Sequence, residues 1–180
     1  MTTDCCRPAA EAPRASVGGS FELTDHDGAR VDASSFGDRW LLVFFGFTHC
    51  RAVCPRELAK IDAALQRLGE RAARIQPLYV TVDPERDDPP TMRAYLQQHP
   101  AFVGLTGTRD EIDAVKQRFR VFARKTDDAD APGGYVVPHT AIAFLAAPGG
   151  RVVDHFGDAL DAERLADRLR PYVEAGCPPK

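Results

Sequence analysis

A chain of 180 residues, 44% hydrophobic and 27% charged, is long enough for one well-buried domain and too short for two. A formal net charge of -3 leaves no basic footprint for nucleic acid. No apolar run approaches the roughly 20 residues of a membrane helix, and the opening residues lack the apolar core of a secretory signal, so the chain reads as soluble, with no signal or anchor.

Residues 1–19 are rich in Ala, Pro, Arg and Gly without apolar periodicity and read as a disordered arm. Phe21-Glu22-Leu23-Thr24, the turn chemistry of Asp25-His26-Asp27-Gly28 and then Ala29-Arg30-Val31 predict a β-hairpin at the domain's start. Leu41-Leu42-Val43-Phe44-Phe45 is an unbroken apolar run, as expected of a strand buried on both faces. From Pro55 the pattern changes to helical spacing through Leu58, Ile61, Leu65 and Leu68, with Gly69 as the stop. Leu78-Tyr79-Val80-Thr81-Val82 is the next strand. Asp88 follows a charged, proline-bounded loop and is placed to cap a helix carrying Met92, Tyr95 and Leu96. Phe102-Val103-Gly104-Leu105 is a short strand, and Thr108-Arg109-Asp110-Glu111 is a capping box opening a helix with Ile112, Val115 and Phe119 on one face.

Residues 127–134 form a polar loop. Residues 140–145 and 151–156 flank Pro148-Gly149-Gly150 as a second hairpin, and a last helix carries Leu165, Leu169 and Tyr172 before Gly176. Strand–helix alternation with a terminal hairpin predicts an α/β fold: a single thioredoxin-like domain over residues 20–175, its central mixed sheet flanked by helices, with an extra N-terminal hairpin and a short tail at 176–180.

The chain holds five cysteines, an odd number too scattered for a disulfide scaffold. Cys5, Cys6 and Cys177 lie in the terminal segments; only Cys50 and Cys54 stand inside patterned sequence, at the carboxyl end of the buried strand, where open α/β sheets place their chemistry. If the two bracket the first turn of the helix, their Cβ atoms stand about 5–6 Å apart, and the helix N-terminus favours a thiolate. Such a pair can close a disulfide or bind one metal ion. Dithiol redox motifs of thioredoxin type are C-x-x-C, one residue shorter. Two thiolates leave a metal under-coordinated, so a third ligand is sought among the histidines. His49 adjoins Cys50 and is expected to point away; His26 in a turn and His99 before Pro100 are expected to face solvent; His155 sits in an alternating strand as a surface or edge residue. His139 follows an apolar run and Pro138 at the start of a strand, in a loop that thioredoxin-like topology packs beside the helix carrying the thiols. A loop hydrogen-bonding role and a ligand role are equally open for it on spacing alone. Two thiolates and an imidazole would make a soft, low-coordinate site suited to Cu(I), or to Cu(II) with a further oxygen ligand.

Phe45-Gly46-Phe47-Thr48-His49-Cys50 with Cys54-Pro55 resembles the Sco/SenC family of copper-binding cytochrome c oxidase assembly proteins. So do Val82-Asp83-Pro84-Glu85-Arg86-Asp87, Val103-Gly104-Leu105-Thr106-Gly107-Thr108 and His139-Thr140, in register from about Ser20 to Tyr172. The resemblance implies a thioredoxin-like fold, copper bound by Cys50, Cys54 and His139, and a metallochaperone that delivers copper to, or reduces, the dinuclear copper site of a cytochrome c oxidase subunit. It implies other copper chaperones or thiol reductants as further partners and a periplasmic or membrane-facing setting. A thiol–disulfide oxidoreductase using Cys50 and Cys54 without metal is the alternative; a peroxidase-like relative, with one of these thiols oxidised by peroxide, is a third. Asp83 and Asp87 match the family's acidic motif and are expected to shape the site's surroundings or a partner surface, or to serve as loop and capping residues. Three departures stand out. Arg51-Ala52 replaces the Pro-Asp pair more often found between the cysteines, which is expected to make the rim positive and favour thiolates. Pro138 stands where an Asp commonly precedes the histidine, raising the question of a cis Val137–Pro138 bond. Family members are also usually anchored or exported.

Overall fold

The computed structural model describes residues 17–174. In chain order its strands are β1 (Glu22–Asp25), β2 (Arg30–Asp32), β3 (Trp40–Gly46), β4 (Ile75–Thr81), β5 (Val103–Thr106), β6 (Thr126–Asp127), β7 (Tyr135–Val136), β8 (Ile142–Ala146) and β9 (Val152–Gly157). Its α-helices are α1 (Val53–Leu68), α2 (Pro89–Tyr95), α3 (Arg109–Phe119) and α4 (Ala162–Glu174). Seven strands form one sheet in the order β2-β1-β5-β4-β3-β8-β9. The centre is parallel, β3 with β4 and β4 with β5, because helices cross over between these strands; the hairpin β1–β2 joins β5 antiparallel on one side, and β8–β9 joins β3 antiparallel on the other. The expected thioredoxin-like mixed sheet with an added N-terminal hairpin is the architecture found.

The apolar runs become the two central strands, buried at every position. Successive residues of a strand face opposite sides, so β3 serves two cores. Trp40, Leu42 and Phe44 pack with Leu58, Ile61 and Leu65 of α1 and Leu165 and Leu169 of α4. Leu41, Val43 and Phe45 pack with Ile112, Val115 and Phe119 of α3. Both α2 and α3 begin as their sequences predict. Asp88 accepts the Thr91 N–H at 2.9 Å, and Thr108 and Glu111 form a reciprocal capping box. Helix α1 begins two residues before Pro55, and its N-cap, Ala52, offers no side-chain acceptor.

At the end of β3, Gly46 lies beside Tyr79 of β4: a β-carbon on Gly46 would stand 2.4 Å from Tyr79 Oη. Gly46→Ala is therefore expected to cost about 1–3 kcal/mol through overpacking, read as a lowered urea midpoint.

Three details depart from the sequence expectation. Residues 17–19, assigned to the arm, are tied down: Gly18 N donates to Arg118 O at 2.8 Å, Gly19 N to Gly150 O at 2.8 Å, and Val152 N to Val17 O at 3.1 Å. The polar loop 127–134 is flanked by β6 and β7, which pair as a two-stranded ribbon. No cis peptide bond occurs among the described residues, so Val137–Pro138 is trans. The remaining arm, the tail, and Cys5, Cys6 and Cys177 lie outside the described residues. Among those described, no helix is long and apolar enough to cross a membrane.

Candidate metal centre

The loop from β3 to α1 carries the first cysteine, and a buried carboxylate fixes its course. Asp87 is fully buried and accepts from Thr48 N at 3.1 Å, from Thr48 Oγ1 at 2.6 Å and from Thr81 Oγ1 at 2.6 Å. Burial pushes this carboxyl above the ordinary range, and the hydrogen bonds from Thr48 and Thr81 pull it part of the way back. With the Thr48 hydroxyl donating to Asp87, its oxygen receives the His49 ring nitrogen Nδ1 at 3.0 Å. That contact holds His49 to Thr48 and, at 3.9 Å, near Asp87, through its Nδ1 edge. Asp87 is thus a positioning residue for the cysteine loop.

Cys50 stands in the turn ahead of α1 and is not part of the helix, while Cys54 is the helix's second residue. The missing cap at Ala52 is supplied by sulfur: Cys54 N donates to Cys50 Sγ at 3.5 Å. The Cys54 thiol is the chief donor to Cys50, and with the backbone N–H groups of Cys54, Ala52 and Val53 it outweighs partial burial and lowers the Cys50 pKa to about 5. The same contact, reinforced by burial and by the neighbouring negative charge, drives Cys54 well above the ordinary thiol range. The pair is a thiolate in front and a buried thiol behind. Arg51, expected to favour the thiolate, is exposed and is not among these principal causes, which lie in the backbone and the second sulfur.

His139 reaches the pair from the connection between β7 and β8. Its backbone bridges Ala123, Thr140 N donates to Phe122 O at 2.9 Å, and Arg124 N donates to Pro138 O at 3.1 Å. Nδ1 meets Val137 O at 2.9 Å; since a carbonyl only accepts, the proton is on Nδ1 and the Nε2 lone pair is free. Nε2 stands 3.9 Å from Cys54 Sγ. The Phe47 ring meets the imidazole edge-on at 5.7 Å between centroids.

Farther back, Arg86 anchors the approach to His139. It pairs with Asp83, donates to Pro132 O at 2.6 Å and Tyr135 O at 3.2 Å, and stacks 3.6 Å from the Tyr135 ring centre. Tyr135 in turn donates to Asp83 at 3.0 Å. Arg86→Ala leaves Asp83 buried without its cation and is expected to destabilise the fold by about 3 kcal/mol, measured by urea unfolding.

Cys54 and His139 are therefore in contact, with Cys50 one hydrogen bond away. Of the other histidines, His49 lines the same cleft with its Nδ1 edge on Thr48, and the remaining three are not brought in. His26 is not solvent-facing as expected but partly buried, with Nδ1 accepting from Gly104 N at 3.0 Å. His99, also expected in solvent, is partly buried against Asp62 and Phe102, and His155 is exposed on the edge strand β9. Sequence reasoning names Thr48 and Arg86 only as members of the family-like motifs and Tyr79 only as part of an apolar strand, and gives none of them a role of its own.

Whether this donor set fits a metal ion is a question of distances. Sulfur and nitrogen ligands at bond lengths of about 2.3 and 2.1 Å stand roughly 3.8 Å apart when opened to about 120° around one ion. The Cys54–His139 separation fits that span. Among the described residues no group of three or more His, Cys, Asp and Glu side chains is already grouped to hold an ion. Cys50 and His139 open into a cleft of about 510 Å³ lined also by Phe47, Arg51, Val136 and Val137.

A mixed sheet of this order, with a dithiol at the mouth of α1 and an imidazole facing it, defines a thioredoxin-like dithiol protein. The SCO1/SenC family model matches residues 9–174. The human protein SCO1 homolog, mitochondrial, is 38% identical over 166 residues, covering 87% of this chain and 54% of that one. The zebrafish (Danio rerio) protein SCO2 homolog, mitochondrial, is 36% identical over 159 residues, covering 87% and 57%. Among solved structures, Arabidopsis thaliana ScoI with copper bound superposes with a TM-score of 0.82 at 34% identity, covering 87% of this chain and 98% of that one. Bradyrhizobium japonicum ScoI with copper bound gives 0.78 at 39% identity, covering 87% and 99%. The chain belongs to the SCO1/SenC family. It spans about half the length of the curated relatives named here.

Proposed function

We propose that this chain is a copper-binding Sco-type protein that holds one copper ion, as Cu(I), through Cys50, Cys54 and His139 and passes it on in assembly of the dinuclear copper site of cytochrome c oxidase. The observation that carries the reading is the 3.9 Å approach of His139 Nε2, lone pair free, to Cys54 Sγ. Two soft thiolates and one imidazole suit Cu(I), which accepts low coordination, better than zinc, which prefers a fourth ligand. Cys50 and His139 line the cleft and Cys54 is buried behind them, so cargo enters and leaves past Cys50. The copper-bound relatives from Arabidopsis and Bradyrhizobium support the choice of metal. Anaerobic titration of the reduced chain with Cu(I) against a competing chelator is expected to end at one equivalent. An endpoint near zero, or one unchanged in a chain lacking both Cys50 and Cys54, would refute the reading.

The contact between a Cys50 thiolate and a Cys54 thiol also favours thiol–disulfide exchange as a second activity. Cys50 attacks a partner's disulfide, releasing one partner thiolate. Cys54 then displaces the other and gives up its proton, so that the partner gains two electrons and this chain closes Cys50–Cys54. Turnover on a protein disulfide that survives His139→Ala is the expected mark of this activity.

A further inference from the structure

The cleft in front of the dithiol is far larger than an ion requires. Its volume is about 510 Å³, against the roughly 10–15 Å³ that admits one water. Away from Cys50 and His139 its lining is mainly apolar, with Phe47, Val53, Val136 and Pro138 among it. A cavity of this size and character takes up the side chains of a bound molecule.

Two segments far apart in sequence wall the cleft. One is the β3–α1 loop, with Arg51; the other is the turn between β6 and β7, with Asp128 and Asp130. That turn is a fixed wall. Asp128 N donates to Gly134 O at 2.9 Å, Gly134 N donates to Ala131 O at 2.9 Å, and Arg86 donates to Pro132 O at 2.6 Å. Asp128 already spends an oxygen on the Asp130 N–H at 3.0 Å. The Arg51 guanidinium and the Asp130 carboxylate are exposed, and neither side chain has an ion-pair or hydrogen-bond partner among the described residues. The cleft thus offers a sulfur nucleophile, apolar walls, a free cation on one wall and a free anion on the other. That pattern fits an extended segment with a cysteine between apolar residues, an acid on one flank and a base on the other. We propose that the cleft docks such a segment of a partner protein, and that Arg51 and Asp130 set the direction in which it lies across Cys50. Exposed charges suit this task, since they discriminate between arrangements more than they add affinity. The inference rests on Cys50 exchanging copper or electrons with a partner sulfur, and it names the chemistry of that partner.

The test is a competition between two synthetic peptides of equal composition. Each has one cysteine between two valines. One carries two glutamates before this core and two lysines after it; the other carries them in reverse order, with heavy-isotope valine. Each cysteine is activated as a mixed disulfide with a small aromatic thiol. In the full chain with Cys54→Ala, Cys50 attacks the peptide sulfur: the Cys50–peptide S–S bond forms, the bond to the aromatic thiol breaks, and that thiol leaves with the electron pair as its thiolate. Cys54 is then no longer there to release the adduct. Peptide mass spectrometry reads the ratio of the two adducts at Cys50, so any change in the reactivity of Cys50 itself cancels. One order is expected to win by about fivefold or more at low salt, because it makes opposite-charge contacts where the other makes like-charge ones. The ratio should shrink toward one as salt is added. The chain that also carries Arg51→Glu and Asp130→Lys should prefer the opposite order. Replacing both valines of the favoured peptide with serine should slow adduct formation about tenfold. A ratio within twofold, a preference that survives the charge exchange, or a serine peptide that reacts as fast overturns the proposal. If one equivalent of Cu(I) binds the wild-type chain and the preference is absent, the docking falls and the copper reading stands. If the preference is present and no Cu(I) binds, the copper reading falls and the docking stands.

Discussion

Replacing His139 with alanine is expected to weaken Cu(I) binding by at least about 100-fold, while replacing His26 or His99 leaves it within about twofold. Loss of an outer residue that merely orients a ligand costs 10–100-fold in other metal sites, so loss of the ligand itself should cost no less. The effect should be large because His139 is already arranged. Its tautomer is set by Val137 O, its ring is held against Phe47, and its backbone is pinned by Ala123. Binding then has little ordering to do on the imidazole side, and that advantage disappears with the ring. The fold should survive, since the side chain is only partly buried and the bridge to Ala123 is a main-chain contact. A His139→Ala chain with unchanged affinity and stoichiometry would mean that the two sulfurs hold the ion without it.

The parts of this site that could be read from sequence are those in which residue type alone implies chemistry. Cys50 and Cys54 are paired thiols after a buried strand, and the apolar runs, the Asp88 cap and the Thr108–Glu111 box announce the elements around them. What periodicity could not deliver is the distribution of hydrogen bonds between elements far apart in sequence. Asp87 reads as a loop residue until Thr48 and Thr81 are seen to converge on it across the β3–β4 pair. His26 reads as a turn residue until β5 is found alongside, offering the Gly104 N–H. Pro55 does lie in the first turn of α1, but the sulfur acceptor that lets the helix begin at Val53 comes from Cys50, four residues before the N–H it receives. Arg51 shows the same limit: a charge in the sequence is not yet a charge near the sulfur, and here backbone N–H groups and Cys54 dominate.

That source of thiolate stabilisation leads to the second large effect, in the pH dependence of Cys50 alkylation. An ordinary thiol titrates near 8.5, so its thiolate fraction and its rate with iodoacetamide rise about a hundredfold between pH 5 and pH 7. Cys50, lowered to about 5, is already half ionised at pH 5, and its rate should rise only about twofold over the same range. Absolute rates separate the two cases only in acid. A thiolate of lower pKa is a weaker nucleophile, by roughly 25- to 60-fold for a shift of about 3.5 units at a Brønsted slope of 0.4–0.5. At pH 7 that penalty cancels the roughly 30-fold gain in ionisation, and Cys50 should react at about the rate of an ordinary thiol. At pH 5 the gain in ionisation is above about 1,000-fold, and Cys50 should react some tens of times faster. Peptide mass spectrometry assigns the label to Cys50 rather than Cys5, Cys6 or Cys177, and buried, protonated Cys54 should stay unlabelled in the same samples. Cys54→Ala removes the chief donor and should move the midpoint upward, toward the ordinary value. A midpoint that stays near 5 in that variant would assign the thiolate to the backbone N–H groups of Ala52, Val53 and residue 54 alone, and the second sulfur would then have no part in activating the first.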